Sequence, residues 1–543
     1  MQPKTPFLRE ATGLVREVKA FDAWVFGVMC ISIGTGVSFL YTLGPALFPG
    51  GSIPIAVGVF AIILIFKDLL YAQLGTAMPR SGGEYVFQAR ILDRILPWAV
   101  GNQLSYNVIW QGCIFQALNG VMIATIGLAP LAYFVGLLIG NAALLSFGAW
   151  SSTPVGLYII IVASSALSVT VAALGIKFYM ETFQRPLFIF GMLEAFGVMY
   201  LFATNSQADF ISKFNTFAQP YYNQADSFHY IITTAHNLGL NTQFSWVSTV
   251  GLMAFVAFGL IWSHSIVHNF GEAKKANDLK TYSWVFVGGT LFTAIFMLII
   301  GWQIVNLCGI DFLSSIGYLG FIQGGSAYPI PIPPFHTMIA SVLTNNIWWI
   351  ILINGGLLAW AIQWDTNNSI GYSRLVLALS FDRVLPAKLG DVNDRFHSPV
   401  NALLLFFVVG GLGFGALVAF LGLAWAFSAA VLAQIFNFIT TGLAGVCFPY
   451  TKKDMFRASP SSRWMIGKVP FVVICGLITL VSQLVLMYTF VAIPGVGISD
   501  PRALGVVFAV IAFGITWFLG IRWYRKTRQG IDLNDLFRAL PPE

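Results

Sequence analysis

Long apolar runs separated by short polar and basic clusters dominate the chain, and a helix crossing a bilayer needs about 20 mostly apolar residues. Twelve runs qualify, at 22–47, 53–77, 98–127, 153–175, 184–203, 246–270, 283–308, 338–372, 399–421, 424–449, 470–493 and 503–523. They are numbered here as spans 1 to 12. The stretch 130–148 (PLAYFVGLLIGNAALLSFG) is also apolar and reads as an extension of the third helix, a re-entrant piece or a thirteenth span. The pattern predicts an all-α integral membrane protein with twelve transmembrane helices.

Composition supports this reading. Of 543 residues, 57% are hydrophobic and 9% charged, against about 45–50% and 25% in soluble domains, which excludes a water-soluble fold. The formal charge of +7 would suit nucleic acid, but the basic residues cluster between spans, so no nucleic-acid partner is expected. With twelve spans and the N-terminus inside, every Lys and Arg except Lys67, Lys213 and Arg502 falls in an inner segment. Cytoplasmic loops carry that excess. The expected topology is multi-pass in the cell membrane with both termini cytoplasmic, and a thirteenth span would divide the basic clusters between the two sides. No signal peptide is evident, and the five scattered cysteines suggest neither disulfides nor zinc. Two outer loops are long, 204–245 and 309–337, the second carrying YPIPIPPF. They read as tolerated insertions in preference to a lid.

Interrupted helices at membrane depth are tolerated where they line a cavity or are buried in protein, so breaks point to sites. Span 1 contains Gly34, Thr35 and Gly36 within ISIGTGVSF, about 20 Å into a core of about 30 Å. Unwinding here would free the N–H groups of Thr35, Gly36 and Val37 at a helix N-terminus, suited to a carboxylate. Close helix packing by small residues is the alternative. Span 6 offers a second break from Phe258 and Gly259 to Ser265 (FGLIWSHS), where the carbonyls of Ala257, Phe258 and Gly259 would accept bonds from an ammonium. Phe258 and Trp262 stand where aromatic gates would sit, beside Ser263. One break for an anion and one for a cation describe a zwitterion.

Two polar stretches carry a resemblance. AMPRSGGEYVFQARIL at 77–92 and SRLVLALSFDRVLPAKLGDVNDRFHSPVNAL at 373–403, with GTGV in span 1, closely resemble the amino acid-polyamine-organocation (APC) permease superfamily. The resemblance implies a five-plus-five inverted repeat (LeuT-like fold) with discontinuous helices 1 and 6 and substrate held between the repeats. It divides the chain into an arm (1–21), a first repeat (22–203), a loop (204–245) and a second repeat (246–449) containing the loop 309–337. A cytoplasmic loop with spans 11 and 12 (450–523) and a tail (524–543) follow. Where relatives carry Gly-Phe-Asp or Gly-Tyr, counting back from Glu272, this chain holds Trp262, Ser263 and His264. No lysine occupies span 5, where some proton-coupled relatives have one near the position of Phe190.

Ionisable groups inside the membrane are costly and are functional candidates. Glu194 lies about 13 Å inward of Arg185 and is a candidate proton carrier; the alternative is a neutral acid bonded to a neighbouring helix. Asp365, Thr366 and Ser369 would form an oxygen site for sodium against the carbonyls of span 1, or Asp365 would bind a proton or face an inner vestibule. His264 and His268 share a helix face and suit a relay or a substrate contact, or one is simply a satisfied buried histidine. Two histidines alone do not make a metal site. Lys67 and Asp68 are adjacent and so are not expected to face each other, leaving Glu194 or Asp365 as geometric partners for Lys67. Gln103, Asn107 and Gln111 at i, i+4 and i+8 form a polar stripe on span 3 that lines a pocket or joins helices.

The expected function is a secondary active transporter for an amino acid or related small zwitterion or amine, working by alternating access and proton-coupled. A polyamine or other organic-cation carrier of the same fold and a sodium-coupled symporter are the alternatives. No GxxxxGK[ST], HExxH or GxSxG occurs, which argues against ATP drive and against a membrane enzyme. A channel is disfavoured because the matching motifs belong to carriers. No cofactor is expected beyond a coupling ion, H+ or Na+. The expected partners are the small-molecule substrate and the lipid bilayer, with oligomeric state undetermined.

Overall fold

A computed structural model describes residues 12–422, 426–492 and 501–541. Twelve helices are long and apolar enough to cross a membrane: Ala20–Leu47, Ile53–Ala77, Ala99–Ile139, Pro154–Ala173, Ile176–Thr204, Trp246–Glu272, Leu279–Cys308, Ile347–Phe381, Val400–Leu421, Leu432–Thr451, Phe471–Thr489 and Leu504–Gln529. They follow the predicted spans closely. Their starts carry the expected chemistry. Thr153 caps span 4 ahead of Pro154, Ser245 caps span 6, Asp278 span 7 and Asn346 span 8, each side chain accepting a bond from a first-turn amide.

The stretch 130–148 is not a thirteenth span. The third helix runs on to Ile139, Gly140 turns left-handed at φ 65°, and Asn141 caps a separate short helix, Ala142–Ser151. Span 8 begins later than predicted because the polar run at 344–346 breaks the apolar pattern. The preceding residues form a loop helix of their own, His336–Val342. The two long loops are folded together: helices Gln207–Tyr222, Ser227–Asn237 and Ile310–Gly317 meet through buried Phe210, Phe214, Phe228 and Phe312. The rings of Phe228 and Phe312 stack at 4.4 Å.

Span 1 is the axis of the bundle, 89% buried, whereas span 12 lies at the rim with 17% buried. Spans 1 and 6 approach so closely that a Cβ on Gly27 would stand 2.9 Å from the Ser263 carbonyl oxygen. Among the described residues, the arm from Thr12 to Lys19 and the tail to Pro541 lie on one face, the terminal face. There the arm forms a parallel bridge from Val18 to Ala273, Asp22 pairs with Arg185 (2.8 Å), and Glu272 pairs with Arg374 on span 8 at 2.8 and 3.0 Å. The turn after span 2 joins the end of span 8 through Arg90 and Asp382 at 2.5 and 2.9 Å, with both side chains fully buried.

Candidate functional site

Span 1 is interrupted at Ser32, two residues before the predicted glycines. Ser32 has φ 62° and ψ 93°, uncommon for a residue with a Cβ, and its hydroxyl donates to Thr35 Oγ1 (2.7 Å). The Ser32 amide bonds Val28 O at 2.9 Å and closes the first half. In the second half, Ile33–Ser38, the first i→i−4 bond runs from Gly36 N–H to Ser32 O at 2.8 Å. The orphan amides of that helix start are therefore those of Ile33, Gly34 and Thr35. Of the three amides predicted to be free, Thr35 keeps that position, while those of Gly36 and Val37 lie within the helix ladder. The glycines serve close approach. A Cβ on Gly34 would fall 2.8 Å from Trp360 Cδ1, and one on Gly36 would fall 2.0 Å from Met297 Cε.

Span 6 keeps α-winding through Leu260 and then tightens to 3₁₀ geometry over Ile261–Glu272, broken by a kink at Asn269 (φ −104°, ψ 17°). It does not open at Gly259. The Ile261 amide bonds Ala257 O, so that carbonyl is occupied, contrary to expectation. The side chain of Phe258 lies outside the described residues. The acceptor at the transition is Ile261 O, which takes Lys67 Nζ at 2.6 Å and His264 Nδ1 at 2.9 Å.

Lys67 is a partner of neither Glu194 nor Asp365. Its ammonium sits 2.9 Å from Asp68 Oδ1 and 3.3 Å from Ser263 Oγ. A lysine stem is long enough to fold back on its neighbour once both heads converge on a third element, here span 6. Asp68 accepts Ser263 Oγ (2.6 Å) and Thr290 Oγ1 (2.5 Å). His264 Nε2 lies 3.1 Å from Glu84 Oε1, and Glu84 accepts Tyr71 OH (2.5 Å) and Asn437 Nδ2 (2.6 Å). Asp68, Lys67, His264 and Glu84 thus make one buried chain of alternating charge-bearing groups. His268 lies off it, its ring tilted at 50° against Tyr372 with centroids 4.8 Å apart.

Between the two half-helices of span 1 and the end of α-winding in span 6 lies a void of about 10 Å³, room for about one water. Thr35, Gly36, Phe39, Gly259, Met297 and Trp364 are among its walls, with Ile31, Leu40, Phe255 and Val256 completing them. Trp364, Phe115 and Trp262 form an aromatic group at one side, with ring centroids 5.6 to 6.4 Å apart. Val37 is buried away from the void, and Ser263 faces Asp68.

The sodium geometry is not assembled. Thr366 Oγ1 bonds back to Ile362 O (3.0 Å), and Ser369 Oγ meets Ser168 Oγ (2.6 Å) and Gln116 Oε1 (3.2 Å), on spans 4 and 3. At this level of span 8 it is Asn367 that reaches span 1, with Nδ2 3.1 Å from Cys30 Sγ. Asp365 is buried with both carboxyl oxygens lacking a hydrogen-bond partner. Helical phase explains the shift: Asp365 and Ser369 share one face, and Asn367 stands on another. Glu194 bonds His336 Nε2 (2.9 Å) and Trp360 Nε1 (3.2 Å). Of the stripe on span 3, Gln103 reaches span 10 and Asn107 reaches Glu84 (3.3 Å), while Gln111 bonds within its own span. Gln103 Nε2 donates to Asn437 Oδ1 (2.5 Å), Asn107 Nδ2 donates to Gln103 Oε1 (2.5 Å), and Gln111 Nε2 reaches Tyr106 OH (2.6 Å).

Sequence reasoning did not single out Glu84, His336, Met297, Trp364 or Asn367. Glu84 was visible as an acid within PRSGGEY. Nothing in the sequence joins His336, in a proline-rich loop, to Glu194 at a separation of 142 residues.

A bundle of twelve crossing helices whose central helix breaks beside a small apolar void is the architecture of a membrane carrier. The chain belongs to the amino acid permease family, whose pattern matches residues 23–518. It is similar to the branched-chain amino acid permease BcaP of Bacillus subtilis (strain 168), 31% identical over 117 residues, which cover 20% of this chain and 25% of that protein. The match thus spans a quarter of that relative's length. Its fold is similar to that of MhsT, solved in complex with L-phenylalanine, with a TM-score of 0.53 and 14% identity over 86% of this chain and 98% of that one. The protein is thus a multi-pass membrane protein of the amino acid permease family with a LeuT-like fold.

Proposed function

We propose that the protein carries a neutral amino acid with an apolar side chain across the cell membrane by alternating access, coupled to protons, with the terminal face cytoplasmic. One observation carries the reading: the orphan amides of Ile33, Gly34 and Thr35 begin a half-helix whose next residues wall an apolar void. Helix N-terminal amides bind a carboxylate. The walls Ile31, Leu40, Phe255, Val256 and Met297 suit a hydrocarbon side chain and include no carboxylate for a second ammonium, which weighs against a polyamine. The relative named for branched-chain amino acids and the neighbour solved with phenylalanine agree with this substrate class. The void's size describes a closed arrangement, so binding requires Met297 and the aromatic neighbours to withdraw. Proton coupling is favoured over sodium because Thr366 and Ser369 are turned from span 1.

The test is counterflow in proteoliposomes. Labelled leucine or phenylalanine should exchange, competed by other apolar amino acids and insensitive to replacement of sodium by choline. Exchange confined to diamines, or dependent on sodium, would overturn the reading.

A further inference from the structure

Glu194, His336 and Ser38 form a buried trio that bridges three separate parts of the chain. Glu194 Oε1 lies 2.9 Å from His336 Nε2, and His336 Nδ1 lies 2.8 Å from Ser38 Oγ. Each side chain is at most 1% exposed. Glu194 belongs to span 5, His336 opens the loop helix His336–Val342 on the face opposite the termini, and Ser38 ends the second half-helix of span 1. Beside His336, the ring of Phe335 packs edge-on against Phe39 at 5.4 Å, and Phe39 walls the central void. The loop therefore holds the wall of the void through two adjacent residues, one polar and one aromatic.

We infer that Glu194 and His336 are the binding site of the coupling proton, and that this proton closes the loop helix 336–342 onto span 1 over the substrate void. The inference rests on the proposed amino acid transport and membrane orientation. With Glu194 ionised and His336 neutral, Nε2–H donates to the carboxylate and Nδ1 accepts the Ser38 hydroxyl, leaving one net negative charge away from water. A hydronium ion from the far face gives its proton to Nδ1 and departs as water. Nδ1–H then donates to Ser38 Oγ, both hydrogen bonds persist, and the trio carries no net charge. An uncompensated charge is unfavourable at membrane depth. Because closure is what assembles the trio, a proton held there and the closed arrangement favour one another by reciprocity.

Other titratable groups stand on the elements packed around the trio. Span 8 carries Asp365, Tyr372 and Arg374, the last paired with Glu272. Span 7 carries Lys280, Tyr282 and Cys308, and span 1 carries Asp22, Cys30 and Tyr41, with Asp22 paired to Arg185 of span 5. Tyr200 lies further along span 5 and Tyr328 in the loop. Among the described residues, no hydrogen bond or ion pair joins any of these to Glu194 or His336. Trp360 supplies the remaining contact, its indole N–H donating to Glu194 Oε2.

The experiment uses the full chain in proteoliposomes with an inward proton gradient and labelled leucine, alongside infrared pH titration of purified protein. Wild type should accumulate leucine. Glu194→Gln and His336→Gln should lose gradient-driven accumulation and its pH profile, with thermal unfolding in detergent showing that each variant is folded. Ser38→Ala should keep the titrating imidazole band but weaken accumulation, because the link to span 1 is cut. Undiminished gradient-driven accumulation with the wild-type pH profile in His336→Gln would overturn the inference. If wild type moves no amino acid, the transport reading fails separately. The infrared titration still decides the proton site: a pH-dependent imidazole band abolished in His336→Gln upholds it, and an unchanged spectrum sinks it.

Discussion

Gly34 and Gly36 stand two residues apart in the same half-helix, yet their surroundings differ in kind. A methyl group on Gly34 would meet the Trp360 ring at 2.8 Å and Leu357 Cδ1 at 3.0 Å, whereas one on Gly36 would meet only the flexible end of Met297. A fixed indole cannot yield, but a thioether can swing aside. Gly34→Ala should therefore destabilise the protein by about 1–3 kcal/mol through overpacking, read as a lower thermal midpoint in detergent. Gly36→Ala should leave that midpoint nearly unchanged and instead raise the leucine concentration for half-maximal counterflow, because the displaced Met297 encroaches on the void. Equal thermal loss in both variants would contradict this contrast. The residue types were legible from the GTGV string as small groups in a packed place; which neighbour each one faces was not.

Helices were the most legible level, since apolar length and end chemistry are local properties. Asp278 illustrates it. The Thr281 hydroxyl and amide donate to its carboxyl at 2.7 and 3.2 Å, and these bonds, the hydroxyl's foremost, hold its pKa below the ordinary carboxylate value. Asp278→Ala should cost about 1 kcal/mol as a lost cap. Because the folded pKa is the lower one, the wild-type contribution is complete above the unfolded value of about 3.9 and fades as pH falls through the folded value. Hydrogen exchange in the first turn of Leu279–Cys308 should rise in the variant at neutral pH and in wild type only under strong acid. Less legible was the sixth helix. Its change from α to 3₁₀ at Ile261 depends on Lys67 and His264 converging on one carbonyl, a tertiary event with no period in the sequence.

Across the molecule, buried ion pairs join the ends of distant helices on the terminal face. Arg90 is held by Asp382 and also donates to Ala539 O at 3.2 Å, while Arg80 donates to Pro541 O at 2.9 Å. The tail seats Leu533, Leu536 and Phe537 against the bundle. Asp382→Ala should cost about 3–5 kcal/mol, because it strands a buried guanidinium. The double change Arg90→Met with Asp382→Leu should recover much of that loss. A thermal-unfolding double-mutant cycle measures both, and additive effects would contradict the coupling. Arg90 and Asp382 lie within the two stretches, 77–92 and 373–403, that carried the family resemblance, so these residues were in view while their pairing was not.

Apolar run length and the placement of Lys and Arg determined twelve membrane helices, with the end of the third and the start of the eighth left to the structure, because hydrophobic burial in lipid and backbone self-satisfaction act within a single segment. The polar motifs sufficed to indicate a permease. Only the tertiary structure decided which amides of span 1 stay orphaned, that Lys67 pairs with its own neighbour, and that Glu194 meets a histidine from a remote loop. The physical reason is that these contacts depend on helix rotation and close approach between segments far apart in the chain, where a single residue of phase moves a side chain by about 100°.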